Sequence, residues 1–224
     1  MTRLWPLLGL SALFAVFAFA CKGSGGGDNT PGGETPESSP ALAPTPKTYA
    51  ERPPVTTGAD KKYTAVVETT KGKFTIELRP DLAIETVNSF VFLAREGYFD
   101  GVSFHRVIRG TPGQPDFVAQ TGDPTGTGSG GPGYTLPAEF SDEPYVRGTV
   151  GMARVGSDVN SAGSQWFVTY TDQYQDALNS QYTVFGKVTE GMDVVDTLTA
   201  RDPSNIATPQ PEGDRIVGIE IVEG

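Results

Sequence analysis

Two residue types that often carry out catalysis near neutral pH occur once each in this chain, as His105 and Cys21. One cysteine cannot form a disulfide within the chain, and one histidine with one cysteine supplies too few ligands for a usual zinc site. A serine triad does not fit, because neither Ser157 nor Ser164 has glycine two positions away on both sides. We therefore predict no metal and no cofactor, and chemistry that depends on carboxylates, arginines or amides.

Carboxylates offer one route to hydrolysis. Glu139, Asp142 and Glu143 lie close together in the sequence, and paired carboxylates can act as general acid and general base. Their position in a proline-flanked segment favours a solvated turn instead. A carboxylate-dependent hydrolase stays open as an alternative, and it would require Glu139 for activity.

A glycine-rich run from Gly126 to Gly131 satisfies the G-x-G-x-x-G pattern of dinucleotide-binding loops. In such loops the last glycine opens a helix whose N-terminus binds the pyrophosphate. Here Pro132 and Gly133 follow at once, which disfavours a helix. We therefore predict a tight loop between strands and no nucleotide site.

Charge and composition limit the classes of partner. The 224 residues include 17 Lys and Arg against 27 Asp and Glu, for a net charge of −10. A nucleic-acid-binding protein is expected to have a basic surface, so we predict no nucleic-acid partner. Glycine (28) and proline (18) are abundant, which indicates that part of the chain is not packed.

The N-terminal segment has the pattern of a signal peptide. Residues 4–20 carry no charge and are almost entirely apolar, and Arg3 precedes them. They end in Ala18-Phe19-Ala20-Cys21, which resembles a bacterial lipobox. We predict that residues 1–21 are a lipoprotein signal with Cys21 as the acylated anchor, and that the protein is extracytoplasmic on a bacterial membrane.

Two regions follow the anchor. Residues 22–62 contain seven Gly and seven Pro, and so little apolar surface predicts a disordered tether. Residues 63–224 carry 22 acidic against 11 basic side chains and are long enough for one hydrophobic core. We predict that residues 63–224 form the single folded domain.

Apolar periodicity predicts mostly strands in this domain. Alternation over 63–69 and 73–79 with a short glycine-containing connection indicates a hairpin. Helical spacing after Pro80 predicts one helix that ends near Gly97, and a second is expected over 192–198. Further strands are predicted over 117–120, 165–170, 183–188 and 216–222.

Six short blocks carry the most specific signal. In chain order they are Phe104-His105-Arg106-Val107-Ile108, Phe117-Val118-Ala119-Gln120-Thr121-Gly122-Asp123-Pro124, Gly130-Gly131-Pro132-Gly133-Tyr134, Gly151-Met152-Ala153-Arg154, Ser164-Gln165-Trp166-Phe167 and Val184-Phe185-Gly186-Lys187-Val188. In this order and spacing they resemble the cyclophilin family of peptidyl-prolyl isomerases, particularly its bacterial branch. The resemblance covers essentially all of residues 63–224.

The resemblance implies a mainly β fold: a closed eight-stranded antiparallel β-barrel capped by two α-helices, with the active groove on its outer face. Such enzymes catalyse cis–trans interconversion of the peptide bond before proline, whose barrier is about 18–20 kcal/mol. Lowering that barrier requires no nucleophile, cofactor or general base. The scarcity of histidine and cysteine is therefore compatible with an enzyme.

The resemblance also assigns site residues. Arg106 is the predicted catalytic donor to the prolyl nitrogen, and Gln120 is predicted to bind the substrate backbone while the bond rotates. Trp166 is expected in the core, and apolar residues of the pocket, taken singly, could equally be core. The predicted substrate contacts are His105, Phe117, Val118, Ala153, Arg154, Gln165, Phe167, Leu178 and Tyr182.

The sequence therefore predicts a monomeric, membrane-tethered isomerase that acts on proline-containing unfolded or extended polypeptides and assists the folding of extracytoplasmic proteins. The alternative is a proline-peptide-binding chaperone or adaptor with little turnover. Two departures from the family pattern stand out. Residues 109–116 form an insertion close to the predicted groove, and Ala177 falls where many members have tryptophan.

Overall fold

The computed structural model describes residues 43–224. Outside the described residues lie the predicted signal segment, the predicted anchor Cys21 and residues 22–42 of the predicted tether. Within residues 43–224, no helix is both long enough and apolar enough to cross a bilayer.

The domain is built on one antiparallel sheet of eight strands, in the spatial order β3-β4-β6-β5-β7-β2-β1-β8. The hairpin predicted at the start of the domain and the four later predicted strands are confirmed as elements, with ends shifted by one or two residues. The strands are β1 (Tyr63–Thr69), β2 (Gly72–Leu78), β3 (Arg106–Val107), β4 (Val118–Thr121), β5 (Thr149–Met152), β6 (Trp166–Thr169), β7 (Val184–Glu190) and β8 (Ile216–Glu223).

The prediction of a closed barrel is wrong, because the sheet is an open half-barrel with β3 and β8 as its edges. Strand β3 is only two residues long, and its one partner strand is β4, while Val107 forms a single isolated bridge with Arg201 on the other side. The chain near this edge meets the other side through isolated bridges, such as Ser103 with Arg215. A strand of two residues offers too few backbone groups for a second ladder.

Three helices accompany the sheet: α1 (Ile84–Arg95), α2 (Gln175–Leu178) and α3 (Met192–Asp196). The sequence predicts α1 and α3 but not α2, whose four residues are too few to show a period. Helix α1 buries Val87, Phe90 and Val91 at helical spacing against the inner face of the sheet. Phe90 packs edge-on against Trp166, which is fully buried as expected, so α1 and β6 share the main core.

Residues 43–62, here called the N-terminal strap, lie on the domain, which differs from the tether predicted over 22–62. The Tyr49 ring packs on Phe92 of α1 with 5.0 Å between ring centroids. Its backbone nitrogen donates to Pro132 O at 2.8 Å. The buried side chain of Asn88 accepts hydrogen bonds from the backbone nitrogens of Thr56, at 2.8 Å, and Thr57, at 3.2 Å. The folded unit therefore begins before residue 63.

The 109–116 insertion extends the β3–β4 connection and is fixed at its base. Arg109 lies over the Tyr170 ring, 4.0 Å from its centroid, and pairs with Asp116 at 3.1 Å. Arg109 also donates to Asp196 O at the end of α3. The Tyr174 hydroxyl donates to Pro115 O at 3.3 Å. These contacts attach the insertion to the domain on two sides.

Candidate active site

Arg106 and Gln120 face each other across the short β3–β4 ladder, where they are register partners. The Arg106 Nη1 donates to Gln120 Oε1 at 3.3 Å. The Arg106 guanidinium also lies over the Phe117 ring, with its Cζ 5.5 Å from the centroid. Burial lowers the pKa of Arg106 from its ordinary value, but a guanidinium keeps its proton at neutral pH. The site thus contains a partly desolvated, permanent cation.

Gln165 continues this row of polar groups. Its Oε1 accepts from Gln120 Nε2 at 3.0 Å, and its own Nε2 donates to Gly128 O and Gly130 O, both at 2.9 Å. Gln120 and Gln165 are half-buried at the edge of a cleft of about 610 Å³. The glycine-rich loop, Ala153 and Arg154 also line this cleft.

Apolar residues of the predicted site form a cluster of their own beside Arg106, separate from the main core. Strand alternation produces it, because Val118 and Gln120 of β4 share one face and Phe167 is the register partner of Gln120. The opposite face of β6 places Trp166 in the main core. The cluster unites the six predicted apolar residues with others and comprises Val118, Tyr145, Phe167, Leu178 and Val184, with Leu82, Phe117, Ala153, Tyr174 and Tyr182 packed against them.

Arg154 lies at the rim of the cluster. Its guanidinium stacks over Tyr182, with Cζ 4.6 Å from the ring centroid. It also donates to Gln181 O and Gly156 O, both at 2.9 Å. The arginine therefore holds two loops and one aromatic wall of the site together.

The position of His105 differs from the substrate contact that the resemblance implies. Adjacent residues of an extended chain point to opposite faces, so Arg106 faces the groove and His105 faces inward. His105 is 2% exposed, and neither ring nitrogen has a hydrogen-bond partner among the described residues. Burial lowers the pKa of His105, which keeps the ring neutral near pH 7. His105 is a buried neighbour of the site.

Two residues of the site escape sequence reasoning. Tyr145 is fully buried, stacks on Phe167 with 5.7 Å between centroids, and donates through its hydroxyl to Thr183 O at 3.2 Å. Tyr174 packs on Phe117 at 4.5 Å. Both lie outside the recognised blocks, in loop or single-turn segments where spacing carries no signal.

The carboxylate and glycine-rich motifs that the sequence raised as alternatives have structural roles. Glu139 binds the backbone nitrogens of Glu85 and Thr86 at the start of α1, at 3.0 and 2.9 Å, and so caps a helix. No helix follows the glycine-rich loop 126–131, as expected. In the described part of the chain, no three His, Cys, Asp or Glu side chains are grouped to bind a metal.

The family model for cyclophilin type peptidyl-prolyl cis-trans isomerases matches residues 64–221. The chain belongs to this family. A probable peptidyl-prolyl cis-trans isomerase of Brucella suis is 45% identical to this cyclophilin over 167 residues, which cover 69% of this chain and 81% of the relative. Peptidyl-prolyl cis-trans isomerase B of Bacillus subtilis is 43% identical over 132 residues, 58% of this chain and 85% of the relative.

Solved structures agree with the cyclophilin fold. A crystal structure of a cyclophilin type isomerase from Cryptosporidium parvum superposes with a TM-score of 0.63 at 32% identity, covering 73% of this chain and 99% of that one. A crystal structure of the same protein in the presence of the dipeptide Ala-Pro gives a TM-score of 0.62. This cyclophilin is therefore a peptidyl-prolyl cis-trans isomerase.

Proposed function

We propose that Arg106 is the catalytic residue of this isomerase and that Gln120 binds the substrate backbone beside it. The observation that carries the proposal is the position of a partly buried guanidinium between an aromatic cluster and the Gln120–Gln165 pair. Only Nη1 of Arg106 has a protein acceptor within residues 43–224. The remaining guanidinium donors are free to reach a bound peptide.

The chemistry follows from the amide bond. Its partial double-bond character resists rotation, and twisting the bond leaves the prolyl nitrogen pyramidal with a free lone pair. A donor aimed at that nitrogen binds the twisted amide better than the planar one, which lowers the barrier. Partial burial of Arg106 strengthens this interaction, because less water screens the charge.

The substrate we propose is a proline-containing segment of an unfolded or extended polypeptide. The apolar cluster below Arg106, with its half-exposed edge at Phe117, Ala153 and Tyr182, suits the proline ring. The adjoining cleft offers space for neighbouring substrate residues. The relative from Cryptosporidium parvum, crystallised in the presence of Ala-Pro, supports this class of ligand.

We also propose that the enzyme acts outside the cytoplasm as a lipid-anchored monomer. The support is the Ala18-Phe19-Ala20-Cys21 sequence after an apolar segment. Acyl chains on Cys21 would give stable anchoring, since each buried methylene contributes about 0.8 kcal/mol. A Pro- and Gly-rich segment between anchor and domain would let the groove reach clients near the membrane.

The catalytic proposal is tested with NMR exchange spectroscopy on an Ala-Pro peptide. Arg106→Ala should lower kcat/KM about 100-fold, the magnitude found when a donor to the transition state is removed. Arg95→Ala is the matched control, because Arg95 forms an exposed ion pair with Glu223 and lines neither the cleft nor the apolar cluster. An Arg106→Ala variant with the wild-type rate would refute the proposal.

A separate experiment tests the anchor in bacterial cells that acylate lipoproteins. The wild-type chain should fractionate with membranes and show an acylated mass, and Cys21→Ser should do neither. Membrane retention of the Cys21→Ser protein at an acylated mass would refute lipid attachment at Cys21. Because the peptide assay needs no membrane, this result leaves the catalytic proposal unaffected.

A further inference from the structure

The glycine-rich loop that follows β4 is organised around one buried carboxylate, Asp123, which is 1% exposed. Its Oδ1 accepts from the backbone nitrogen and the hydroxyl of Thr125, both at 2.7 Å. Its Oδ2 accepts from the Gly128 nitrogen at 2.6 Å and from the Thr127 hydroxyl at 3.4 Å. Each oxygen therefore binds a different part of the loop.

Hydrogen bonds stabilise the ionised form of the buried Asp123 carboxylate. Burial by itself would raise the pKa of Asp123, but hydrogen bonds from Thr125, Gly130 and Gly128 lower it below its usual value. A carboxylate that accepts several hydrogen bonds is favoured in its ionised form. Asp123 is therefore an anion that only accepts, and the loop must present donors to it.

Glycine is required where the loop passes this carboxylate. A Cβ at Gly130 would lie 2.0 Å from Asp123 Oδ1, and Gly128 has a φ of +84°, a conformation that favours glycine. The Gly128 nitrogen and the Cα of Gly130 face Asp123. On the other side of the loop, the carbonyl oxygens of both glycines accept from Gln165. The loop thus ends in two acceptors at the edge of the site.

These two acceptors fix the direction of a row of hydrogen bonds that ends at Arg106. Carbonyl oxygens only accept, so the side-chain amide of Gln165 must turn its NH2 toward the loop and its oxygen toward Gln120. Gln120 must then donate to Gln165, which leaves its own oxygen facing Arg106. Reversing either amide would place two acceptors or two donors against each other.

We infer that Asp123 is a positioning residue of this isomerase, which acts through the loop carbonyls, Gln165 and Gln120 to orient the Arg106 guanidinium. Asp123 itself has almost no exposed surface to offer a substrate. The inference rests on the proposed catalytic role of Arg106. It gives the glycine-rich run a function that its resemblance to a nucleotide-binding pattern does not suggest.

The first test compares Asp123→Asn with Asp158→Asn in the full chain, by measuring the rate of cis–trans exchange of an Ala-Pro peptide. Asp158 is the matched control, because its Oδ1 also accepts a backbone hydrogen bond inside a loop, from Asn160 at 2.9 Å, but has no link to Gln165. We expect Asp123→Asn to lower kcat about tenfold and to leave KM within about twofold, since Arg106 acts on the twisted amide. Asp158→Asn should match the wild type.

A double-mutant cycle distinguishes positioning from a general loss of structure. If Asp123 acts through Gln165, then Asp123→Asn should have little further effect in a Gln165→Met background. An equal loss in both backgrounds would overturn the inference. The side-chain amide NMR signals of Gln165 provide a second readout, which should shift in Asp123→Asn and stay in place in Asp158→Asn.

If Asp123→Asn does not fold, Gln165→Glu provides the replacement test of the same hydrogen-bonded row. It keeps the size of the half-buried side chain but places a carboxylate oxygen against the two loop carbonyls, so we expect a similar loss of kcat. A wild-type rate for this variant would overturn the inference. Arg106→Ala distinguishes failure of the proposed function from failure of the positioning role. If Arg106→Ala does not lower the rate, the proposed function is refuted. If Arg106→Ala is impaired but Asp123→Asn is fully active, only the positioning role is refuted.

Discussion

The carboxylate of Glu139 accepts hydrogen bonds from both the backbone nitrogen and the hydroxyl of Thr86, at 2.9 and 2.7 Å. Ala83, at the N-cap position of α1, supplies no side-chain cap. Glu139 lies more than fifty residues later in the chain and satisfies the donors that the local sequence leaves unpaired. A negative charge there also interacts favourably with the helix dipole.

Glu139→Ala should therefore lower the free energy of unfolding by about 1–2 kcal/mol, the usual cost of losing a helix cap. The exchange rate of an Ala-Pro peptide should not change, because Glu139 caps α1 and lines neither the cleft nor the apolar cluster. Urea denaturation and NMR exchange measure the two quantities. Glu143→Ala is the control, since its partly exposed pair with Arg79, 3.8 Å apart, contributes less than about 1 kcal/mol. Loss of activity in folded Glu139→Ala would revive the carboxylate-dependent alternative.

The sequence predicts the site where strand alternation is visible. In β4 and β6, alternation separates Val118, Gln120 and Phe167 on the groove side from Trp166 in the core. Strands β3 and β5 are absent from the sequence prediction, because Arg106–Val107 is too short to show a period and all four residues of Thr149–Met152 are buried.

Long-range contacts explain what the sequence could not predict. The strap has the composition of a disordered segment, yet a few side-chain and backbone contacts fix it to α1 and to the loop near Pro132. The buried environment of Asp123 is equally invisible, because Asp-Pro in a sequence indicates only a turn. Sheet closure failed as a prediction for the same reason, since it depends on how far β3 extends.

The buried His105 predicts a pH-dependent stability. Burial lowers the pKa of His105 in the folded protein, although nearby Asp123 acts in the opposite direction. The unfolded chain binds a proton near the ordinary value of about 6.5 and the folded protein does not, so stability is lost as the pH falls below about 6.5.

Below about pH 6.5 the free energy of unfolding should fall with decreasing pH, with a slope of at most about 1.4 kcal/mol per pH unit, the value for one proton. Urea denaturation over pH 5–8 measures it. Since His105 is the sole histidine of the chain, His105→Met should flatten the profile in this window. An unchanged slope in that variant would assign the effect to other groups.

The position of Tyr182 predicts that a mutation there affects substrate binding and leaves the catalytic step largely unchanged. Its half-exposed ring packs edge-on against Phe167, with 5.8 Å between centroids, and lies under Arg154. It forms a wall of the proposed proline pocket. Tyr182→Ala should therefore raise KM about fivefold with little change in kcat, as expected for uniform binding. Phe140→Ala, an exposed aromatic outside the cluster, is the control for the peptide exchange assay. A fall in kcat alone would contradict this assignment.

The N-terminal strap predicts that the stable domain includes residues before 63. Tyr49 packs on Phe92 and donates from its backbone to Pro132 O, so it joins α1 to the loop that borders the cleft. Tyr49→Ala removes the aromatic packing and should lower the free energy of unfolding by about 1–3 kcal/mol. Arg52→Ala, in the same strap but in an exposed pair with Glu85, should cost less than about 1 kcal/mol. Equal stabilities of the wild type and Tyr49→Ala in urea denaturation would show that the strap is not part of the cooperative unit.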